Sequence, residues 1–359
     1  MKKIVISGVN IVSGGMLSAY KDCLREMLRY DSDFEIIALV HDVRLFADIE
    51  DGRLTYMAFP AAKRSWLQRC YHEYVLFHRL SKELCPDLWF SMHDTTPWVK
   101  AERQVVYCHN AAPFYHLQVR EIFSDWKFTL FVLFYRYLYR INLYRNRYII
   151  VQQDWIRREF QRLYGSFNVV VARPQLTLQQ GIPSISTQKG MLFFPVTVHT
   201  YKNIELLCEA AKMIGDMPPS KIVLTMDGSE GAYARKMIRR YRDVPCLRFI
   251  GYQSREAVFA LYAACEAMLF PSRLESWGMP LSEFIPTGKP ILVADLPYAH
   301  EVLDGYTQVK FLDPLDVQAW AKAIRDVSAG RLQYDRYPVQ QPAAPYARSW
   351  QELFRLLDV

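Results

Sequence analysis

Short apolar runs recur along this chain, and between several of them apolar residues fall at three- and four-residue spacing. The runs predict strands at 3–9, 35–40, 54–59, 88–92, 104–108, 147–151 and 168–171, and again at 191–196, 221–226, 247–250, 267–270 and 291–294. The spaced patterns predict helices at 16–30, 66–84, 203–214, 232–241, 255–264 and 317–328. Uniformly apolar strands alternating with helices imply an α/β protein whose parallel sheets are covered on both faces. The Pro-, Gln-, Ser- and Thr-rich stretch 173–190 interrupts the series and reads as a linker. It separates a first domain, 1–172, from a second, 191–340, with residues 341–359 as a C-terminal extension.

The chain is organised around residues 270–290, FPSRLESWGMPLSEFIPTGKP, which lie between two predicted strands. Pro280 suits the first turn of a helix and Gly288 its end. A strand, a loop with Gly278 and a helix start make a place for an anion, because unpaired amides and the helix dipole face it. The amides in question lie near Gly278–Leu281, and Ser276, Gly278, Met279, Pro280 and Leu281 are the candidate binding residues there. A diphosphate there would leave Glu275 beside the group on the far phosphate and Glu283 beside the other end of the ligand. Carboxylates accept hydrogen bonds from vicinal hydroxyls, so a sugar at Glu275 and a ribose at Glu283 fit. Either acid alone reads as a solvated or dipole-complementing side chain; the pair in this setting does not.

ESWGMPLSE resembles the E-x7-E motif of the retaining glycosyltransferases of family four. The similarity extends from Leu247 through Asp295, Glu301 and Asp313, and more loosely into the first half. The resemblance implies the GT-B fold: two Rossmann-like parallel-sheet domains facing a central cleft, with the last helix, at 346–357, packing back on the first. It implies a retaining transfer of sugar from a nucleotide-diphosphate donor to a hydroxyl of a glycan or lipid-linked glycan, in surface polysaccharide biosynthesis. Glu275, His109 and Lys202 are then the catalytic candidates. His109 contacts the transferred sugar, and Lys202 brings a compact ammonium to the diphosphate. The Gly14-Gly15 pair lies over the same diphosphate. Gly228 stands in a G-x-G turn whose first glycine is Asp227, and Tyr252 lies where a base packs. The family places an arginine about five residues before the lysine; Thr197 stands there, and Arg273 is the substitute. Neither a cofactor nor a metal is expected.

Other residues were candidates on local grounds. His93 and Asp94 follow a strand, where ligands gather, and either line an acceptor pocket or, for Asp94, cap the next turn. Asp31-Ser-Asp33 lies in a polar turn away from a strand end and reads as a turn, not a metal motif. Gly14-Gly15 belongs to neither G-x-G-x-x-G nor a Walker sequence, which removes the usual support for hydride transfer or nucleotide hydrolysis.

Charge and composition add a partner. The 359 residues carry 44 basic and 37 acidic side chains, a net +7 that favours anions without suggesting nucleic acid. Within 126–162, Trp126, Phe128, Phe131, Phe134, Tyr135, Tyr137 and Tyr139 crowd with Arg136, Arg140, Arg145 and Arg147. Basic residues among interfacial aromatics suit an anionic membrane surface, where a polyprenyl-diphosphate-linked acceptor would be met. Seven scattered cysteines without a C-x-x-C, no secretory signal and no apolar run of about 18 residues imply a cytoplasmic protein, peripheral on the inner membrane face. Two other functions share the resemblance: a non-catalytic sugar-nucleotide-binding subunit of a polysaccharide assembly complex, and a GT-B sugar-nucleotide epimerase.

Overall fold

A computed structural model describes residues 2–117, 125–165, 168–174, 181–215, 221–338 and 341–359. Residues 175–180 of the expected linker lie outside the described residues. The chain divides into two units, one of Met1–Gln175 with Pro342–Val359 and one of Leu176–Gln341.

The first unit is built on an eight-stranded sheet. Its strands are β1 (Lys2–Ser7), β2 (Phe34–Val40), β3 (Leu54–Ala58), β4 (Leu88–Ser91), β5 (Arg103–Cys108), β6 (Tyr148–Val151), β7 (Val169–Ala172) and the late β14 (Tyr346–Ala347). They lie in the order β14-β7-β6-β5-β4-β1-β2-β3, every pairing parallel. Chain progression therefore reverses between β1 and β4. In a doubly wound sheet, this reversal opens a crevice beyond the strand ends.

Strand boundaries fall short of the sequence reading where the backbone must turn. β1 stops at Ser7, not at residue 9, because Gly8 runs flush against the Tyr20 ring; a Cβ there would lie 2.4 Å from a ring carbon. Tyr20, on the helix Gly14–Tyr30, anchors this approach by donating its hydroxyl to the Ile6 carbonyl at 2.7 Å. That helix begins at Gly14, two residues earlier than expected, so the Gly-Gly pair forms its first turn. The helix expected over 66–84 is present but interrupted. It runs Trp66–Tyr71, widens into a π turn at His72–Leu76, and resumes as Phe77–Leu84.

The C-terminal segment is a strand and a helix, not one helix. Tyr346–Ala347 adds to the sheet edge, and the helix Trp350–Leu356 follows. Ser349 starts it by accepting the Glu352 amide at 3.1 Å, while the Glu352 carboxylate accepts the Arg348 amide at 2.8 Å. Its Trp350, Leu353 and Phe354 enter one core with Ile4, Ile6, Val105 and Ile150, and Phe354 meets Tyr30 edge-on at 5.4 Å. A smaller core of Val5, Leu39, Phe77 and Trp89 covers the other face.

The second unit holds a six-stranded parallel sheet: β8 (Met191–Phe194), β9 (Lys221–Leu224), β10 (Leu247–Phe249), β11 (Ala267–Phe270), β12 (Ile291–Ala294) and β13 (Val309–Leu312). The order is β10-β9-β8-β11-β12-β13, which reverses between β8 and β11. β13 was not anticipated. Its Lys310 breaks the apolar run, and it is half-exposed and paired with Asp335 at 2.6 Å.

Candidate functional site

In the second unit the loops that leave β8 and β11 meet at the reversal point. After β8 the chain makes a tight turn, Thr200–Lys202; after β11 it runs into the segment 271–278. The Arg273 amide donates to the Tyr201 carbonyl at 2.7 Å, and its guanidinium reaches the Thr200 carbonyl at 3.4 Å. Arg273 thus braces the turn that carries Lys202. Asn203, with φ +59, holds the turn's other end by donating to the Pro314 carbonyl at 2.8 Å. Thr197 is exposed nearby in sequence.

These braces bring Lys202 and Glu275 together at 2.5 Å, both mostly buried. The ammonium also lies 5.8 Å from the Phe270 ring and 5.7 Å from Tyr201. Two groups expected to serve different parts of a ligand are therefore each other's partner. Tyr298, fully buried, has its phenol pushed up by burial and by the Glu275 charge, and donates to the Ser272 carbonyl at 2.7 Å. It fixes the floor of the loop.

The following helix spans Met279–Phe284 and continues as a tighter turn, Ile285–Thr287, that ends on Gly288. Gly278 precedes it at φ +86, a conformation that costs other residues heavily, with Leu281 and Tyr298 packed against it. The Leu281 side chain is buried, and its amide already donates to the Gly278 carbonyl at 2.9 Å. Ser276, Met279 and Pro280 are half-buried at the loop-to-helix junction. Trp277 donates to the Ser282 hydroxyl at 2.9 Å, which locks the loop onto the helix.

Glu283 faces a different neighbour. Arg255 approaches it at 3.0 Å and the Tyr262 hydroxyl at 3.3 Å, partners that sequence reasoning missed. Burial raises the Glu283 carboxyl, with Arg255 and Tyr262 pulling against that shift. A carboxylate raised in this way favours folding in its protonated form, so its contribution weakens as pH rises above its unfolded value. Removing the opposing cation should steepen the effect. Arg255→Met is expected to lose more thermal stability relative to wild type at about pH 8 than at about pH 5. Equal losses in melts at the two pH values would disconnect Arg255 from this carboxylate.

Gly228 and Tyr252 sit beyond β9 and β10. The amides of Asp227 and Gly228 both donate to the Glu230 carboxylate, at 3.0 and 2.8 Å, so that turn holds an anion of its own. Tyr252 is 88% exposed, with its ring free to receive a flat group.

In the first unit, a buried polar cluster lies at the ends of β1 and β4. The Ser7 hydroxyl lies 3.0 Å from His93 Nε2, and His93 Nδ1 lies 3.3 Å from Glu73. Arg69 donates to Glu73 at 2.8 Å, to the His93 carbonyl at 2.7 Å and to Thr95 at 3.2 Å. Burial pushes the Glu73 carboxyl up, but Arg69 and His93 overcome it and hold it at about 2. The π turn is what aims Glu73 inward. None of Ser7, His93 or Glu73 reaches solvent appreciably, so the cluster supports the loops and does not line an open pocket. Asp94 does not cap the next turn. At φ +74 it accepts the His109 and Asn110 amides at 2.6 and 3.0 Å and the Tyr139 hydroxyl at 3.2 Å, tying the loop after β4 to the loop after β5.

His109 is therefore held from its backbone, and its ring lies tilted against Tyr107 with centroids 4.2 Å apart. Burial lowers its imidazole, Asp94 opposes and His93 reinforces the shift, so the ring is neutral near neutral pH. The Gln152 amide lies 3.4 Å from Nδ1; donation there leaves the proton on Nε2. Gly14 and Gly15 stand at the reversal point between β1 and β4. At Asp31 the expected turn is formed, its carboxylate accepting the Asp33 amide at 3.0 Å.

Residues 178–341 match the family model described as glycosyl transferases group 1. The chain is 20% identical over 239 residues to the O-antigen chain mannosyltransferase RfbU of Salmonella typhimurium, covering 66% of this chain and 63% of that protein. The match thus spans under two thirds of that relative's length. Among solved structures, sucrose-phosphate synthase from Thermosynechococcus elongatus superposes with a TM-score of 0.66 at 14% identity, covering 92% of this chain and 90% of that one. The fold is GT-B. Anabaena HepE, solved in complex with UDP-glucose, superposes with a TM-score of 0.62 at 14% identity, over 90% of this chain and 89% of that one. The GT-B assignment covers both sheets, while the family match falls on the second unit with Lys202, Glu275 and Glu283.

Proposed function

We propose that this GT-B protein is a retaining glycosyltransferase that moves a sugar from a nucleotide-diphosphate donor to a hydroxyl of a glycan or lipid-linked glycan during surface polysaccharide assembly. The observation that carries this reading is the Lys202–Glu275 pair at the reversal point of the second sheet. An arriving diphosphate competes with Glu275 for the ammonium. Lys202 then pairs with phosphate, and the released carboxylate accepts hydrogen bonds from the sugar. Glu283 takes the ribose hydroxyls, Tyr252 the base, and the amides around Gly278 the phosphates. In the first unit, His109 keeps a neutral imidazole suited to a sugar hydroxyl, and the Gly14-Gly15 turn stands at that sheet's reversal point. As the bond from the anomeric carbon to the diphosphate oxygen breaks, the acceptor oxygen bonds to that carbon on the same face. The departing phosphate takes the acceptor proton, and its growing charge meets Lys202 and the amides. The likeness to an O-antigen mannosyltransferase supports the polysaccharide setting, and the likeness to a UDP-glucose complex supports the donor class.

The test is a thermal-shift panel of UDP, GDP, CDP and dTDP. One diphosphate is expected to stabilise the protein, by about 3 kcal/mol at a hundredfold excess over its Kd, and Lys202→Ala should abolish the shift. Absence of any shift would end the reading. Thr197, standing without a cation where the family carries one, favours a second reading as a non-catalytic sugar-nucleotide-binding subunit. Stable donor binding with no labelled product, on extracted lipid acceptors from a polysaccharide-producing strain, would select it.

A further inference from the structure

Large apolar side chains left in water concentrate on two helical pieces of the first unit. On the helix Trp66–Tyr71, Leu67 is 84% exposed. On the helix Trp126–Arg140, Trp126 is 59% exposed, and Leu130, Leu133 and Tyr137 are also exposed. The two pieces are joined, with the Trp66 ring edge-on to Phe134 at 5.0 Å. The inward side of the second helix is apolar as well, through Val132, Tyr135, Leu138 and Tyr139. A helix apolar on both sides needs a non-aqueous neighbour on its outer side.

Apart from Asp125, whose carboxylate caps the helix start by accepting the Phe128 amide, the charge around this face has one sign. Residues 126–153 contain no Asp or Glu, and neither do residues 54–72. Two of their cations are committed inward. Arg69 holds Glu73, and Arg136 donates to the carbonyls of Pro113 and Tyr115, which corrects its expected place on the surface. Lys63, Arg64, Lys127, Arg140, Arg145 and Arg147 remain exposed. A second copy meeting this face through a twofold axis would oppose like charges. The helix has 15 residues, about 22 Å, and no described helix is long and apolar enough to cross a membrane. Apolar groups in one plane with flanking cations are the arrangement of a helix lying at an anionic lipid interface.

We propose that this face, Leu67 with Trp126, Leu130, Leu133 and Tyr137, docks the first unit on an anionic bilayer, the aromatics and leucines entering the headgroup boundary and the cations meeting lipid phosphates. This assignment does not rest on the transferase reading, and its test reads binding without activity. The full chain is sedimented with phosphatidylcholine vesicles, with and without phosphatidylglycerol. Binding is expected only with phosphatidylglycerol and should weaken with salt. Leu67→Glu with Leu130→Glu should lower partitioning at least about tenfold, and so should Lys63→Gln with Lys127→Gln. All four substitutions are on exposed positions, so the melting temperature should hold, which separates loss of docking from loss of fold. Wild-type protein that stays in the supernatant with anionic vesicles, or variants that sediment as wild type does, would overturn the proposal. So would a wild-type dimer in analytical ultracentrifugation that Leu130→Glu dissociates, since that outcome gives the face to a second copy.

Discussion

Alanine at Glu275 is expected to lower glycosyl transfer by about 10²–10³-fold, the usual cost of deleting one preorganised polar group that meets the reacting ligand. The loss should fall mainly on kcat, because Lys202 and the loop amides still hold the diphosphate. The variant also leaves Lys202 without its 2.5 Å partner in a mostly buried position. That costs some stability, but the ammonium can reach residual water, and about 1–3 kcal/mol is expected, too little to unfold the unit. Glu275→Gln keeps the shape and one acceptor, and should fall between the two. Transfer assays beside thermal melts check this; undiminished turnover in Glu275→Ala would remove the carboxylate from the chemistry.

The largest stability effect should come from the first unit. Arg69→Met strips the strongest partner from Glu73, a carboxylate 1% exposed, and breaking such a buried pair costs about 3–5 kcal/mol. Glu73 has its folded-state value depressed from 4.5 to about 2. Its ionised form therefore stabilises the fold above the unfolded value, and that contribution disappears as pH falls from about 4.5 through about 2. The full depression corresponds to about 3 kcal/mol. Urea unfolding of the wild type should lose this increment across that window, and Arg69→Met should lose much less of it. Joining Glu73→Leu to Arg69→Met replaces an orphaned charge with apolar packing and should recover much of the deficit. If Arg69→Met unfolds at the wild-type urea concentration, the cluster is not what holds these loops.

The alternation of apolar runs and helical spacing made both parallel sheets legible, since strands buried on two faces leave continuous apolar stretches. It failed where an element was too short or mixed. Tyr346–Ala347 is a two-residue strand, and Val309–Leu312 carries a lysine at the centre of its run. The loop 270–290 was legible because Gly278, Pro280 and Gly288 each mark a backbone requirement. What it contacts was not. Lys202 and Glu275 lie 73 positions apart, and only the strand order, with β8 beside β11, makes them neighbours. Arg255 on Glu283 was hidden in the same way, since 28 positions separate them. Arg69 and Glu73 stand four residues apart, a spacing that marks a helical ion pair, but nothing local marks that this pair is buried. The brace from Asp94 to His109 and Asn110 was missed because it joins two separate loops, and local patterns do not mark such a link.

The first sheet recruits its edge strand Tyr346–Ala347, and a helix that completes its core, from chain that follows the whole second unit. During synthesis the ribosome therefore releases the second unit's last residues before the first unit can close. The earlier-synthesised part of the first unit is the later one to mature, and until then it presents Ile4, Ile6 and Val105 without the Trp350 and Phe354 that cover them. Nascent-chain chaperones would find their binding surface on the older half of the polypeptide, reversing the usual order in which amino-terminal domains settle first.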